Sequence, residues 1–157
     1  MSHDRFPSFD IHNRVPDFAR SAAGHVILTV AFLDNQILEP LILAYLPTMT
    51  DDRAEMLFSH PGPLSSLPAK NRFAYAVGLI GADTHQDLKG ITKVRNAFAH
   101  ARGILHFDSP RLAEVFRTIA RWPVTDDLRS LFDEKVSDVA EAAEAKYGEL
   151  MFVEAKR

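Results

Sequence analysis

The sequence predicts an all-α fold, an up-and-down helical bundle with short extra helices, and three observations carry this prediction. Apolar residues recur at three- and four-residue steps in several segments, which is the spacing of one helix face. Ser, Thr or Asp residues precede most of these segments, where helix N-caps are expected. Pro or acidic residues often come directly after these caps, in the first turn of the helix. No pair of segments reads as two neighbouring strands, so a sheet is not expected.

The first helix is expected to be long and largely buried, beginning at Pro16 and Asp17. Its apolar character continues at four-residue steps beyond the point where a buried strand would end. Pro40 lacks a backbone donor, so it should kink or split this helix near residues 35 and 36. The late apolar positions are Ile37, Leu41 and Tyr45.

Two shorter helices are expected next. Thr50 is suited to cap the first of them, because two aspartates follow it in the first turn. Ser65 or Ser66 caps the second, with Pro68 in its first turn and Gly81 at its end. The apolar stripe of this second helix is expected to comprise Phe73, Val77 and Ile80.

An amphipathic helix follows and is expected to stop at Gly103. Residues 103–109 read as a short extended link, after which Asp108 or Ser109 caps a helix that has Pro110 at its first position. The buried stripe of the amphipathic helix comprises Leu88, Ile91, Val94 and Phe98.

The last helix is expected to be capped by Thr125 and to carry a sustained apolar stripe. That stripe comprises Leu128, Phe132, Val136, Val139, Ala143, Tyr147 and Leu150.

The length, composition and net charge of the chain limit the class of protein. The 157 residues fit one domain, which we place at 15–157 behind a loosely ordered lead-in at 1–14. The absence of cysteine excludes disulfides and thiolate chemistry and suits the cytoplasm. A net charge of −3 does not favour a broad grip on duplex nucleic acid. The N-terminus lacks the apolar core of a signal peptide, and polar residues interrupt the longest apolar run, so no membrane span is expected.

The segment "KVRNAFAHAR" places three strongly polar residues, Arg95, Asn96 and His100, at the end of the amphipathic helix. Arg95 and His100 are five positions apart, so on a straight helix they point roughly 140° away from each other. One chain therefore does not aim both side chains at one small ligand. Either the helix unwinds before His100, or two copies combine these side chains across a dimer.

Two interpretations of this cluster remain open. In the structural one, Arg95 pairs with a carboxylate of a neighbouring helix, Asn96 bonds a loop backbone and His100 bonds the last helix carbonyls. In the functional one, the cluster cleaves RNA without a metal. His100 would then serve as general base or acid, Arg95 would stabilise the phosphorane charge, and Asn96 would orient one of them.

Other candidate sites are less specific. The remaining histidines lack metal-binding spacing, so neither a metal nor a cofactor is expected; they are His3, His12, His25, His60, His85 and His106. His85 and Asp87 are a candidate pair. No helix-turn-helix with a basic second helix is present, so direct DNA binding is not expected. If the third and fourth helices pack antiparallel, one basic surface beside Arg95 would comprise Lys70, Arg72, Lys93 and Arg102.

Residues 62–100, "GPLSSLPAKNRFAYAVGLIGADTHQDLKGITKVRNAFAH", resemble the core of the mannitol operon repressor (MltR-like) family. The matching features are the "GPL" turn, the "AYAVGLI" helix, the "DL" pair and the closing "RNAFAH", and the resemblance extends over roughly residues 20–115. It implies an all-helical protein that takes part in transcriptional control through protein contacts. We therefore expect a cytoplasmic, non-enzymatic regulator that forms a homodimer and has a protein partner.

The segment from Arg95 to His100 is also similar to the arginine–polar–histidine motif of HEPN domains, which are helical bundles that often dimerise. This resemblance implies the alternative function, a metal-independent endoribonuclease of toxin or defence systems. Arg95 and His100, supported by Asn96, would then act across the dimer on RNA.

Overall fold

The computed structural model describes residues 17–18 and 20–156, and across these residues the chain forms helices and no β-strand. The predicted all-α class and its bundle-like packing are confirmed, whereas the lead-in at 1–14 lies outside the described residues. The elements are α1 (Ala22–Phe32), a π-helical segment (Leu33–Leu38), α2 (Glu39–Tyr45), α3 (Asp51–Phe58), α4 (Leu67–Ala76), α5 (Ala82–Ala99), α6 (Pro110–Arg117) and α7 (Leu128–Glu154).

The predicted first long helix is continuous from Ala22 to Tyr45. Residues 17, 18 and 20 are also helical, but the chain bends at Ser21, whose hydroxyl caps the long helix by accepting from the Gly24 backbone N–H at 3.0 Å. The long helix therefore begins after the bend and not at Asp17 as expected. The disturbance expected from Pro40 is confirmed and takes the form of the π-helical segment immediately before it. Proline supplies no N–H and its ring displaces the carbonyl four residues earlier, and a wider helical turn accommodates both effects.

The long helix is only partly buried, contrary to the expectation. Its inner face packs on α4, α5 and α7, whereas Leu28 and Phe32 each leave 52 % of their surface exposed. By length and composition alone this helix could cross a membrane, but such helices also occur as core helices of soluble bundles. Its buried residues are Gly24, Val26, Val30, Leu33, Leu38, Leu41 and Ile42.

Helix α5 is the central element, since it contacts α1, α4, α6 and α7. Its predicted apolar stripe is confirmed, and all four of its residues are buried. Gly90 also lies on a buried face, where a Cβ atom would come within 2.6 Å of Ile119 and 2.8 Å of Trp122. The close approach of the segment after α6 to α5 therefore depends on the missing side chain.

Several helix ends agree with the sequence. The Thr50 and Ser66 hydroxyls each accept a backbone N–H three residues later, at 3.4 Å, and so cap α3 and α4. Pro68 and Pro110 both lie in the first turn of their helices. Ser109 is the N-cap residue of α6, although its hydroxyl accepts from the His106 backbone N–H instead of from the helix.

Helices α4 and α5 end earlier in the chain than the sequence predicts. Helix α4 stops at Ala76 because Gly78 adopts a φ of +77°, and Gly81 instead begins α5. Helix α5 ends before Gly103, with His100 as its C-cap residue. In both cases the helix ends before the expected glycine.

The α4 and α7 stripes also need correction. In α4 the buried residues are Leu67, Lys70, Asn71 and Ala74, whereas Phe73 and Val77 are half-buried. In α7 the N-cap is Asp127, whose carboxylate accepts from the Ser130 backbone N–H at 3.0 Å. Most of the predicted α7 stripe faces the core, but Tyr147 is exposed.

Candidate functional site

The predicted polar cluster lies at the C-terminal end of α5, and Arg95, Asn96 and His100 are all exposed. The Arg95 Nη1 donates to Asn96 Oδ1 at 3.2 Å. The backbone stays helical through Ala99, so the segment does not unwind before His100, whose own N–H donates to the Asn96 carbonyl at 3.0 Å. The side chains of Arg95 and His100 therefore diverge, as the helix geometry predicts.

The contacts expected from the structural interpretation are not made in the described part of the chain. Arg95 forms no ion pair with a neighbouring helix, and the Asn96 side chain bonds Arg95 instead of a loop backbone. The His100 ring makes no hydrogen bond to the last helix carbonyls among the described residues. All three side chains are therefore directed to solvent.

A pocket of about 440 Å³ lies beside this cluster and includes Arg95 and Asn96 but not His100. Its walls come from α1, the π-helical segment, the start of α4 and α5. More than half of the lining residues are polar, and Asp34 is one of them. One chain thus brings together two of the three predicted residues.

Lys70 does not belong to the predicted basic surface, because only 1 % of its surface is exposed. Its ammonium donates to Asp34 Oδ1 at 2.7 Å and to Glu39 Oε2 at 3.0 Å, which fastens α4 to the π-helical segment and α2. A buried lysine is retained as a charge only where such partners compensate for lost hydration. Lys70 is therefore a structural residue.

A second cleft, of about 430 Å³, lies between α4 and α5. We call it the His85 cleft, and its lining comprises Pro68, Asn71, Arg72, His85, Lys89, Thr92 and Lys93. Two residues of the predicted basic surface, Arg72 and Lys93, lie here, whereas Arg102 lies outside it. The structure adds Lys89 to these cations.

The proposed pairing of His85 with Asp87 is wrong. Asp87 Oδ1 accepts from the indole Nε1 of Trp122 at 2.9 Å. His85 Nδ1 lies 2.9 Å from Asn71 Oδ1, and Asn71 Nδ2 donates to the His85 carbonyl at 3.1 Å. Residues two positions apart on a helix point in different directions, so the pairing was not available to them.

The surroundings of His85 favour its neutral form over its charged form. Its ring stacks on Tyr75, with centroids 4.3 Å apart and planes 9° from parallel. Burial, and then the positive charge of Lys89, lower the pKa of His85 below its usual 6.5. A signal for this site was present in the sequence, because His85, Lys89 and Lys93 follow one another at four-residue steps.

No three His, Asp or Glu side chains in the described ranges are grouped to hold a metal ion. No family model, curated protein or solved structure matches this chain. The resemblances to the mannitol operon repressor family and to HEPN domains therefore remain predictions.

Proposed function

We propose that this chain is a cytoplasmic regulatory protein that acts in transcriptional control through protein–protein contacts, in the manner of the mannitol operon repressor family. The observation that carries the proposal is the outer face of α1. Leu28 and Phe32 lie four residues apart on that face and leave about half of their surface exposed. Adjacent exposed apolar side chains of this size are typical of protein interaction surfaces.

The partner proposed for this face is a second copy of the chain. The exposed residues from Leu28 to Gln36 carry no charge, the others being Ala31, Phe32 and Asn35. Two copies related by a twofold axis would therefore meet along this face without like-charge repulsion. The face also borders the pocket that contains Arg95 and Asn96, to which Ala31 contributes.

Sedimentation velocity tests the dimer. Phe32→Glu places a charge in the middle of the apolar face and should convert the dimer to a monomer. Met56→Glu is the matched control, because Met56 is a large apolar residue of α3 that is 75 % exposed and lies outside the outer face of α1. A wild-type protein that stays monomeric at 100 µM would contradict the dimer.

Transcript profiling tests the regulatory role. Cells that lack the protein, or carry Phe32→Glu, should show the same set of altered transcripts, and cells with Met56→Glu should match the wild type. The purified protein alone should not shift duplex DNA in a mobility assay. Unchanged transcripts in the cells lacking the protein would refute the regulatory proposal.

A metal-independent endoribonuclease is the second candidate, and the exposure of Arg95, Asn96 and His100 favours it. Because Arg95 and His100 diverge on one chain, an active site would combine Arg95 of one copy with His100 of the other. His100 would take the proton of a ribose 2′-hydroxyl or protonate the leaving oxygen, while Arg95 would stabilise the developing charge on phosphorus.

Cleavage of labelled RNA in the presence of EDTA tests this candidate. His100→Ala should abolish cleavage and leave the thermal midpoint unchanged, because His100 is exposed and makes no side-chain hydrogen bond within the described ranges. His106→Ala is the control, since His106 is exposed and lies outside the motif. Intact RNA with the wild-type protein, or equal cleavage by His100→Ala, would refute the nuclease.

A further inference from the structure

The His85 cleft shares Pro68 and Thr92 with the pocket beside Arg95 and Asn96, but its histidine and its cations are not used in the proposed function. It lies between α4 and α5, and its volume of about 430 Å³ falls within the range of small-molecule sites. Its inner wall holds Asn71, which is 3 % exposed and uses both ends of its amide on His85. A buried amide that forms both of its hydrogen bonds with one histidine fixes the orientation of that ring.

The two hydrogen bonds also determine which ring nitrogen carries the proton. The Asn71 nitrogen is the atom that faces the His85 carbonyl, because within the amide only the nitrogen carries hydrogens that it can donate. The Asn71 oxygen is therefore the atom beside His85 Nδ1, and it requires a proton there. In the neutral ring Nε2 then has no proton, so it accepts a hydrogen bond.

Three cations line the same cleft as His85. Arg72 comes from α4, and Lys89 and Lys93 come from α5. None of them forms an ion pair with a carboxylate in the part of the chain that the structure describes, although the Lys93 ammonium donates to the Thr118 carbonyl at 3.3 Å. The cleft thus offers positive charge and one oriented acceptor.

We propose that the His85 cleft binds a phosphate monoester that also carries a hydroxyl group. Arg72, Lys89 and Lys93 contact the phosphate, for which the planar guanidinium is well suited. His85 Nε2 accepts a hydrogen bond from the hydroxyl. Ribonucleotides and sugar phosphates share this chemistry, and neither the regulatory nor the nuclease proposal is required for it.

Isothermal titration at low salt and pH 7.5 tests the site with four probes. Ribose 5-phosphate and uridine 5′-monophosphate carry both groups, methyl phosphate lacks the hydroxyl, and uridine lacks the phosphate. The first two should bind more tightly than methyl phosphate, and uridine should not bind. The tighter of the first two identifies the source of the phosphate ester. Methyl phosphate that binds as well as ribose 5-phosphate would overturn the role of His85.

Exposed charges provide variants that should fold normally. Arg72→Gln and Lys89→Gln should each weaken binding about threefold or more, the effect of losing one exposed charge contact. Arg111→Gln is the control, because Arg111 is an exposed cation of α6 outside the cleft. Equal weakening by all three variants would indicate diffuse attraction and would overturn the site, as would no detectable binding at 10 mM ligand.

His85→Phe separates the imidazole from the cations, because phenylalanine keeps a flat ring beside Tyr75 but has no nitrogen that accepts a hydrogen bond. It should bring the affinity for ribose 5-phosphate down to that for methyl phosphate, while the affinity for methyl phosphate stays the same. A thermal melt recorded for each variant verifies that it is folded. A variant that still discriminates between the two probes would overturn the assignment of Nε2 as the hydroxyl acceptor.

Discussion

Asn71 and His85 hold each other through two hydrogen bonds, of 2.9 Å between Asn71 Oδ1 and the ring and 3.1 Å between Asn71 Nδ2 and the backbone carbonyl. The first bond joins α4 to a ring on α5, and the second joins the same amide to the first turn of α5. One buried side chain therefore fixes both the position of a helix and the proton on a histidine.

His85 should titrate below pH 6.5. Burial disfavours its charged form, and Lys89 adds repulsion, so the pKa of His85 is lowered. The charged and titratable groups around it are Arg72 and Tyr75 on α4 and Lys89 and Lys93 on α5. Lys89→Gln should raise the pKa of His85, as measured by NMR titration of the ring, whereas Arg111→Gln should leave it unchanged. A wild-type pKa at or above 6.5 would contradict the burial argument.

The same shift determines how stability depends on pH. The unfolded chain protonates His85 near pH 6.5, above the folded pKa, so the unfolded state binds more protons in that interval. The contribution of His85 to stability is therefore fully present above pH 6.5 and is lost as the pH falls through the folded pKa. Urea unfolding at a series of pH values should show this loss, and Lys89→Gln should reduce it.

Lys70→Met should destabilise the fold by about 3 kcal/mol, at the low end of the range for breaking a buried ion pair. The change leaves the Asp34 and Glu39 carboxylates facing each other without their cation. Arg72→Met is the matched control, since Arg72 is exposed two positions along, and it should change stability by less than about 0.5 kcal/mol. Urea unfolding measures both variants.

A charge-removing variant separates the ion pair from packing. Adding Asp34→Asn and Glu39→Gln to Lys70→Met removes the repulsion and should recover part of the lost stability. Equal stability of Lys70→Met and the wild type would show that the buried lysine contributes nothing to the link between α4 and the π-helical segment.

The parts of the fold that local patterns determine were predictable. The α5 stripe follows from helix periodicity, and the caps at Thr50 and Ser66 follow from side chains that bond their own backbone. Proline chemistry likewise located the disturbance before Pro40, although the sequence did not indicate that it would be a π-helical segment. Each of these features depends on residues within one turn of each other.

The features that the sequence did not predict depend on contacts between distant segments. Lys70 reads as a surface cation until Asp34 and Glu39, which lie more than thirty positions earlier, are brought against it. His85 lacked a visible partner because Asn71 belongs to another helix. The polar cluster at Arg95 was recognised in sequence, but whether a second copy completes it depends on an interface that no pattern within one chain specifies.

Asp87→Ala should destabilise the fold by about 1–3 kcal/mol, the cost of a buried donor left without its acceptor. The change removes the acceptor of the Trp122 indole N–H, and Trp122 is a buried residue. Asp87→Asn keeps a carbonyl oxygen at the same place and should cost less. Urea unfolding followed by the fluorescence of Trp122, the single tryptophan, measures both. Equal losses of stability for the two substitutions would show that the hydrogen bond to Trp122 does not stabilise the fold.

Gly90→Ala and Gly148→Ala should change stability in opposite directions, although both glycines lie within helices. At Gly90 a Cβ atom would lie within 3 Å of Ile119 and Trp122, so the segment that follows α6 must move away from α5. We expect a loss of about 1–3 kcal/mol, as for other overpacked cores. Gly148 has no atom near the added Cβ, and there the better helix propensity of alanine should raise stability by about 0.5–1 kcal/mol. Urea unfolding distinguishes the two variants, and a stabilising Gly90→Ala would show that Ile119 and Trp122 do not pack on α5 at this point.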